Sequence, residues 1–213
     1  DMFAITADQI DSRHGADLAD EALALVGDTA GDRLALPPDR TAGDEVQVLT
    51  ADPAAALDIV LSLLRTGSWS VGLGIGTVET PLPDVTRAAR GPAFLAAREA
   101  VQRAKRRPTR FAADGTGGAS VQALLDLLIQ QRERRSPEGW ELFDLVESGL
   151  SQQDAARSLG ITPQAASRRA QAAGIRLDQA ARPALVAVLA HADGAARADS
   201  APAAPSDGGP AED

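Results

Sequence analysis

Cysteine and tyrosine are both missing from this chain. Without thiols there is no disulfide, no cysteine nucleophile and no cysteine-bound zinc. Histidine is almost missing: His14 and His191 are the only two, which leaves carboxylates as the main ligands for any cation. Aromatic residues make up 3% of the chain, so Ala, Leu and Val must fill the core. No apolar run reaches the length of a membrane span, and no signal-peptide pattern is visible. The expected address is the cytoplasm, with no membrane partner.

Excess positive charge is lacking too. The net charge is -9 over 213 residues, which counts mildly against nucleic-acid binding. The charge is unevenly placed, however. Arg98, Arg103, Lys105, Arg106, Arg107 and Arg110 form one basic run, and Arg132, Arg134 and Arg135 form another. A phosphate backbone responds to such local clusters.

The apolar spacing predicts strand Phe3–Ala7 ending at Asp8, helix Ala16–Val26, and a short strand at Leu34–Leu36. After a break over Pro37–Gly43 comes strand Val46–Leu49, with Gly43-Asp44-Glu45 at a hairpin turn. Asp52-Pro53 caps a helix to about Arg65. Trp69–Thr77 is the longest strand, alternating Val71, Leu73 and Ile75 with glycines. This order of elements matches a ferredoxin-like sheet with two helices on one face. A polar loop over Pro81–Arg90, a helix from Gly91-Pro92 to about Lys105 and a strand at Thr109–Ala112 follow. Asp114–Gly118 reads as a flexible joint, and Ser120 opens an apolar helix.

The next segment carries the most specific signal. Pro137–Ser148 is amphipathic, and Ser151-Gln152-Gln153-Asp154 starts a second helix as a capping box does. Gly160 suits a positive-φ turn. Thr162-Pro163 then caps a third helix running to Ala173, and Gly174 stops it. That spacing is the helix-turn-helix pattern, with Thr162–Ala173 as the recognition helix and double-stranded DNA as the partner. Thr162, Gln164, Ser167, Arg168, Arg169 and Gln171 are the candidate DNA-binding residues, since Gln suits adenine edges and Arg suits guanine edges. Arg169 falls where an apolar residue is common, so its stem should pack while its head reaches out. The rival reading is a small helical packing domain.

In the first domain, Asp8 and Asp44 fall at neighbouring places of a ferredoxin-like sheet. They offer oxygen ligands to a divalent cation, Mg or Mn; the other reading makes both of them turn acids. Arg87, Arg90, Gly91 and Arg98 flank the polar loop and are the candidate nucleotide-binding residues, because guanidinium groups grip phosphate bidentately.

Asp8, Gly43-Asp44-Glu45 and Gly72–Gly76 resemble landmarks of class III nucleotide cyclases and diguanylate cyclases. The closer resemblance is to the SatD family. It is carried by Ala7–Arg13, Gly43–Gln47, Val71–Gly76, Gly91-Pro92-Ala93-Phe94 with Ala97-Arg98, and Ser151–Ala156. The resemblance implies a bacterial cytoplasmic protein linked in general terms with stress adaptation, with a palm-like domain and a terminal helix-turn-helix. Cyclases place an asparagine and an arginine on the helix after the long strand. Here Leu95 or a neighbour stands for the asparagine and Arg98 alone survives, so the catalytic set is incomplete and no catalytic residue is named.

The expected protein is therefore α+β: a ferredoxin-like, palm-type domain over residues 2–113, a linker and connecting helix over 114–135, a helix-turn-helix domain over 136–191 and a disordered tail over 192–213. The expected function is a homodimeric transcriptional regulator whose first domain senses a nucleotide or cyclic dinucleotide, or serves for dimerisation. The alternative is a divergent metal-dependent nucleotide cyclase coupled to a DNA-binding module.

Overall fold

Proline and glycine punctuate the chain, and the described residues form five strands and eight α-helices. The computed structural model describes residues 2–12, 15–41 and 43–199, with side chains to Ala192 in the last helix. The strands are β1 (Met2–Gln9), β2 (Asp39–Arg40), β3 (Glu45–Thr50), β4 (Trp69–Gly76) and β5 (Phe111–Gly115). The α-helices are α1 (Ala19–Ala30), α2 (Pro53–Arg65), α3 (Pro92–Ala104), α4 (Gly118–Glu133), α5 (Pro137–Glu147), α6 (Gln152–Ser158), α7 (Pro163–Ala172) and α8 (Ile175–Asp199). The architecture is mixed α+β, and among the described residues no helix is long and apolar enough to cross a membrane.

The five strands form one sheet in the order β2-β3-β1-β4-β5. β1 runs antiparallel to β3 and to β4, β2 is antiparallel to β3, and β5 is parallel to β4. Alternation along β1 divides the core in two. Phe3, Ile5 and Ala7 meet α1, α2, α4 and the later part of α8, through Val26, Leu57, Val60, Leu125, Ile129, Leu185 and Leu189. Ala4 faces the other way, onto Ala93, Phe94 and Ala97 of α3. Helices thus cover both faces of the sheet.

The glycines of β4 have a packing reason. A Cβ at Gly74 would fall 2.0 Å from the Ala93 carbonyl oxygen, and one at Gly72 would fall 2.3 Å from the Val101 nitrogen. α3 answers with buried Ala93, Ala97, Ala100 and Ala104. Helix backbone lies on strand backbone, a contact that only glycine permits.

Three sequence expectations change. The strand expected at Leu34–Leu36 reduces to a single bridge between Leu34 and Thr50. Pro37 and Pro38 lack the N–H groups needed to continue the ladder, and pairing resumes at Asp39. Asp114 and Gly115, expected within a flexible joint, are paired in β5 to Gly74 and Ile75. The connecting helix expected in 114–135 is α4, and its Val121, Leu125, Leu128 and Ile129 sit in the main core. Finally, residues expected in the helix-turn-helix domain and the tail belong to α8. Its Leu185, Leu189 and Ala192 return to the sheet core, and its backbone stays helical to Asp199. The rest of the expected tail lies outside the described residues.

Two glycine substitutions separate these effects. Gly74→Ala should destabilise the protein by about 3 kcal/mol, because backbone cannot yield to the new methyl. Gly27→Ala, in α1 with nothing within 4 Å of its Cβ site, should stabilise it by about 0.5–1 kcal/mol. Urea unfolding of both variants measures the contrast, and a neutral Gly74→Ala would contradict the close helix–sheet contact.

Candidate nucleic-acid interface and adjoining clefts

Three helix starts in the C-terminal half are closed by hydroxyl caps. Ser136 accepts from the Gly139 N–H, Ser151 from the Asp154 N–H and Thr162 from the Ala165 N–H, each at 3.1 Å. Each hydroxyl satisfies one of the orphan amides of a helix N-terminus. Gly149, Gly160 and Gly174 take positive φ after α5, near the end of α6 and after α7. The alternation of cap and glycine folds α5, α6 and α7 around Leu142, Phe143, Ala155, Ala170 and Ala173.

This packing decides which side of α7 is free. Ala166 and Ala170 are buried, while Thr162, Gln164, Ser167, Arg168 and Gln171 are exposed. Arg169 behaves differently from its neighbours. Its side chain is 25% exposed and reaches back to α5, 3.8 Å from Glu141 and within bonding distance of the Glu138 carbonyl. Arg176 was missed by the sequence reading. It is exposed at the start of α8 and lines a hollow of about 590 Å³ together with Ser167, Gln171 and Gln152. Its signal was only its place, two residues past Gly174.

A buried charge cluster seats this helical group. Asp178 of α8 is fully buried and takes a bidentate pair from Arg132, through Nε and one Nη at 2.7 Å each. Arg135 adds a bond at 2.9 Å to the same carboxylate and donates from Nε to the Ala173 carbonyl oxygen at 2.9 Å. Its remaining nitrogen, Nη1, has no hydrogen-bond acceptor among the described residues. The guanidinium instead lies 4.2 Å from the ring centres of both Trp140 and Phe143, which supply cation–π attraction. Arg65 of α2 lies 4.0 Å from the Trp140 ring centre and pairs with Asp144 through two bonds of 2.6 and 2.7 Å.

Two residues of the second basic run, Arg132 and Arg135, have therefore become structural, and so have three of the six in the first. Arg103 pairs with Asp114, Arg107 with Asp126 and Lys105 with Asp8. These groups already face carboxylates and are poorly placed to contact phosphate.

The four candidate nucleotide-binding residues come together. Arg87, Arg90, Gly91 and Arg98 line one cleft of about 450 Å³, with Gln47, Glu79, Phe94 and Leu95. Arg87 lies 3.5 Å from Asp39, whereas Arg90 and Arg98 make no ion pair among the described residues. Gly91 has φ 133°, and a Cβ there would meet the Thr77 carbonyl oxygen at 2.8 Å. The closing of this loop thus requires the glycine.

Asp8 and Asp44 are less suited to a cation. The strand register sets Asp8 opposite Glu45, not Asp44. The Lys105 ammonium already sits 2.7 Å from the Asp8 carboxylate. Among the described residues no group of three or more His, Asp or Glu side chains is placed to hold a metal ion. A divalent cation at this place would have to displace Lys105, so the residues present do not fit a metal centre.

No family model matches the chain, and no curated protein matches it. Among solved structures it is similar to the crystal structure of a regulator of polyketide synthase expression from Bifidobacterium adolescentis. The identity is 13%, the match covers 94% of this chain and 81% of that one, and the TM-score is 0.31. A likeness so slight carries no argument about what this chain does.

The buried cluster has a pH signature. Burial pushes the Asp178 carboxyl up, but the bonds and charges of Arg132 and Arg135 more than reverse this, so it lies below the usual carboxylate value. A depressed folded-state pKa gives stability that is fully present above the unfolded-state value and is lost as pH falls through the folded-state one. Asp178→Asn should cost about 3–5 kcal/mol at pH 7, because it leaves two buried guanidinium groups without their anion. Unfolding measured from pH 7 down to pH 3 should show the gap between parent and variant narrowing toward acid. A gap that widened would contradict the assignment.

Proposed function

We propose that this chain is a DNA-binding transcriptional regulator that reads DNA with α7. The observation that carries the reading is the free face of α7: Gln164, Ser167, Arg168 and Gln171 are exposed together on a helix capped by Thr162 and entered through the Gly160 turn. Gln and Arg offer donors suited to adenine and guanine edges. Thr162 and Arg176 sit at the two ends of that face and suit backbone phosphates. Arg169, turned toward α5, serves the packing of the module.

The sheet unit is read as a ferredoxin-like palm of the SatD type. The antiparallel order β2-β3-β1-β4, with α1 and α2 in the connections, supports this reading. The cleft of Arg87, Arg90, Gly91 and Arg98 is its nucleotide site, with the phosphates of a cyclic dinucleotide as the chemistry that suits several guanidinium groups. Because Asp8 is held by Lys105, binding should need no metal. DNA half-sites mirror a two-fold axis in such regulators, so the working form is a homodimer.

Two measurements test this. Arg168→Ala should weaken specific DNA binding by about 1–3 kcal/mol at matched salt on a site selected from random duplexes. Equal affinity for parent and variant would remove α7 as the reading helix. A cyclic dinucleotide should raise the melting temperature of the parent by mass action without added metal. Arg90→Gln with Arg98→Gln should abolish that gain. A gain that appears only with magnesium or manganese and disappears in Asp44→Asn would move the site to the two aspartates.

A further inference from the structure

We propose that the cavity between α2, α4 and α5 is a second binding site, for a flat apolar molecule carrying one negative charge. The cavity has a volume of about 460 Å³, within the usual range of small-molecule sites, and such sites favour the junction of two packed units. Leu61 and Leu64 of α2, Trp69 of β4, Ile129 of α4 and Trp140 of α5 wall it. These are the only two tryptophans of the chain. One stands in the sheet and the other in the helical group, so an occupant touches both. Walls of this kind suit an aromatic ring system.

The charges on the walls select the sign. Arg65 is closed by Asp144 and Arg132 by Asp178. The Thr109 hydroxyl is engaged with Asp126. Arg110 differs. It makes no ion pair among the described residues, and one of its nitrogens bonds the Lys105 carbonyl oxygen at 2.7 Å. The other donors of its guanidinium remain for a carboxylate or sulfonate on the occupant. Glu133 also lines the cavity, and a second negative charge on the occupant would be repelled. Arg110 has φ 51°, a left-handed backbone unusual for a residue with a side chain. Strained residues of this kind cluster at ligand sites. Here the backbone is held by the bond from the Val71 N–H to the Arg110 carbonyl oxygen at 2.8 Å.

The site does not depend on the DNA-binding reading. Its test uses the full chain and two probes with the same fused rings: 1-anilinonaphthalene-8-sulfonate, and N-phenyl-1-naphthylamine, which lacks the sulfonate. Both accept energy from tryptophan, so emission excited through tryptophan reports occupancy. The expected result is saturable binding of the sulfonate probe, tighter than that of the neutral one. Arg110→Gln should weaken the sulfonate probe by about tenfold, the loss of one charge-assisted contact, and leave the neutral probe unchanged. Leu64→Phe should fill the cavity and weaken both probes. Leu127→Glu is the control, since exposed Leu124, Leu127 and Leu177 border an apolar groove between α4 and α8 that could also take the probes. Urea midpoints within error of the parent certify that each variant is folded. The proposal is overturned if Leu127→Glu removes the signal, if Arg110→Gln leaves the preference for the sulfonate intact, or if no saturable binding occurs.

Discussion

The most demanding contact between the sheet unit and the helical group is made at one buried carboxylate. Asp178 is fully buried, and two arginines from the end of α4 close on it. Isolated charges are not tolerated in such a place; they persist only when paired and hydrogen-bonded. The cluster meets that demand with a bidentate pair, a third charged contact, a backbone carbonyl for Arg135 and two aromatic faces for the rest of its guanidinium. Because α4 packs into the sheet core while Asp178 lies just after α7, the cluster sets where the free face of α7 points. Two further ties are Arg65 of α2 to Asp144 of α5, and Arg182, which reaches Asp58 of α2 and Glu147 of α5. A hydrophobic contact in this position would allow small rotations of one half against the other. A bidentate pair has an angular requirement and restricts them.

The rest of the core is built from small residues, as the scarcity of aromatics requires. α3 lies on β4 mainly through alanine and glycine, with Val101 beside them and backbone against backbone. The opposite face of the sheet uses branched side chains from α1, α2, α4 and α8. The sheet is therefore asymmetric, with a thin tight side and a thick side. The cavity between α2, α4 and α5 lies on the thick side, beside Leu61 and Leu64 of α2 and Ile129 of α4. The cleft of Arg87, Arg90, Gly91 and Arg98 lies at the N-terminal end of α3, where Gly91 turns the chain.

Much of the helical module was legible in the sequence, because its signals are local. Ser151, Gly160, Thr162 with Pro163, and Gly174 each act within a few residues of themselves, and α6 and α7 begin where the caps placed them. What the sequence hid depends on partners far along the chain. Nothing local shows that Lys105 will meet Asp8, that Arg107 will meet Asp126, or that Arg132 and Arg135 will be buried against Asp178. The β4 glycines drew a functional reading, although α3 alone explains Gly72 and Gly74. α8 was readable in part: Leu185, Leu189 and Ala192 recur at helical spacing and are the residues buried in the core. Pro183, which sits inside that helix, masks the pattern, since an interior proline ordinarily ends one.

The net charge of -9 therefore says less about partners than the fate of each arginine does. Arg33, Arg40, Arg65, Arg103, Arg107, Arg132, Arg135 and Arg182 all face carboxylates within the fold. Acid and base so matched cancel at short range and contribute little to the field felt by a ligand. The arginines without such a partner among the described residues include Arg90 and Arg98 in one cleft, Arg110 in the interhelical cavity, and Arg168 and Arg176 beside α7. Five of the uncommitted arginines thus fall at three places that also have the shape to receive something, each with its own chemistry, while Arg106 and Arg134 line none of them. Two guanidinium groups at a cleft suit phosphates, one above an apolar floor suits a ring acid, and two flanking a row of glutamine and serine suit a nucleic-acid groove. The stretch from Asp193 onward holds Asp193, Asp199, Asp207, Glu212 and Asp213 against Arg197 alone, and so lowers the total. An acidic whole is thus compatible with local groups of uncommitted arginines, because net charge sums over the chain and says nothing of how charges are grouped.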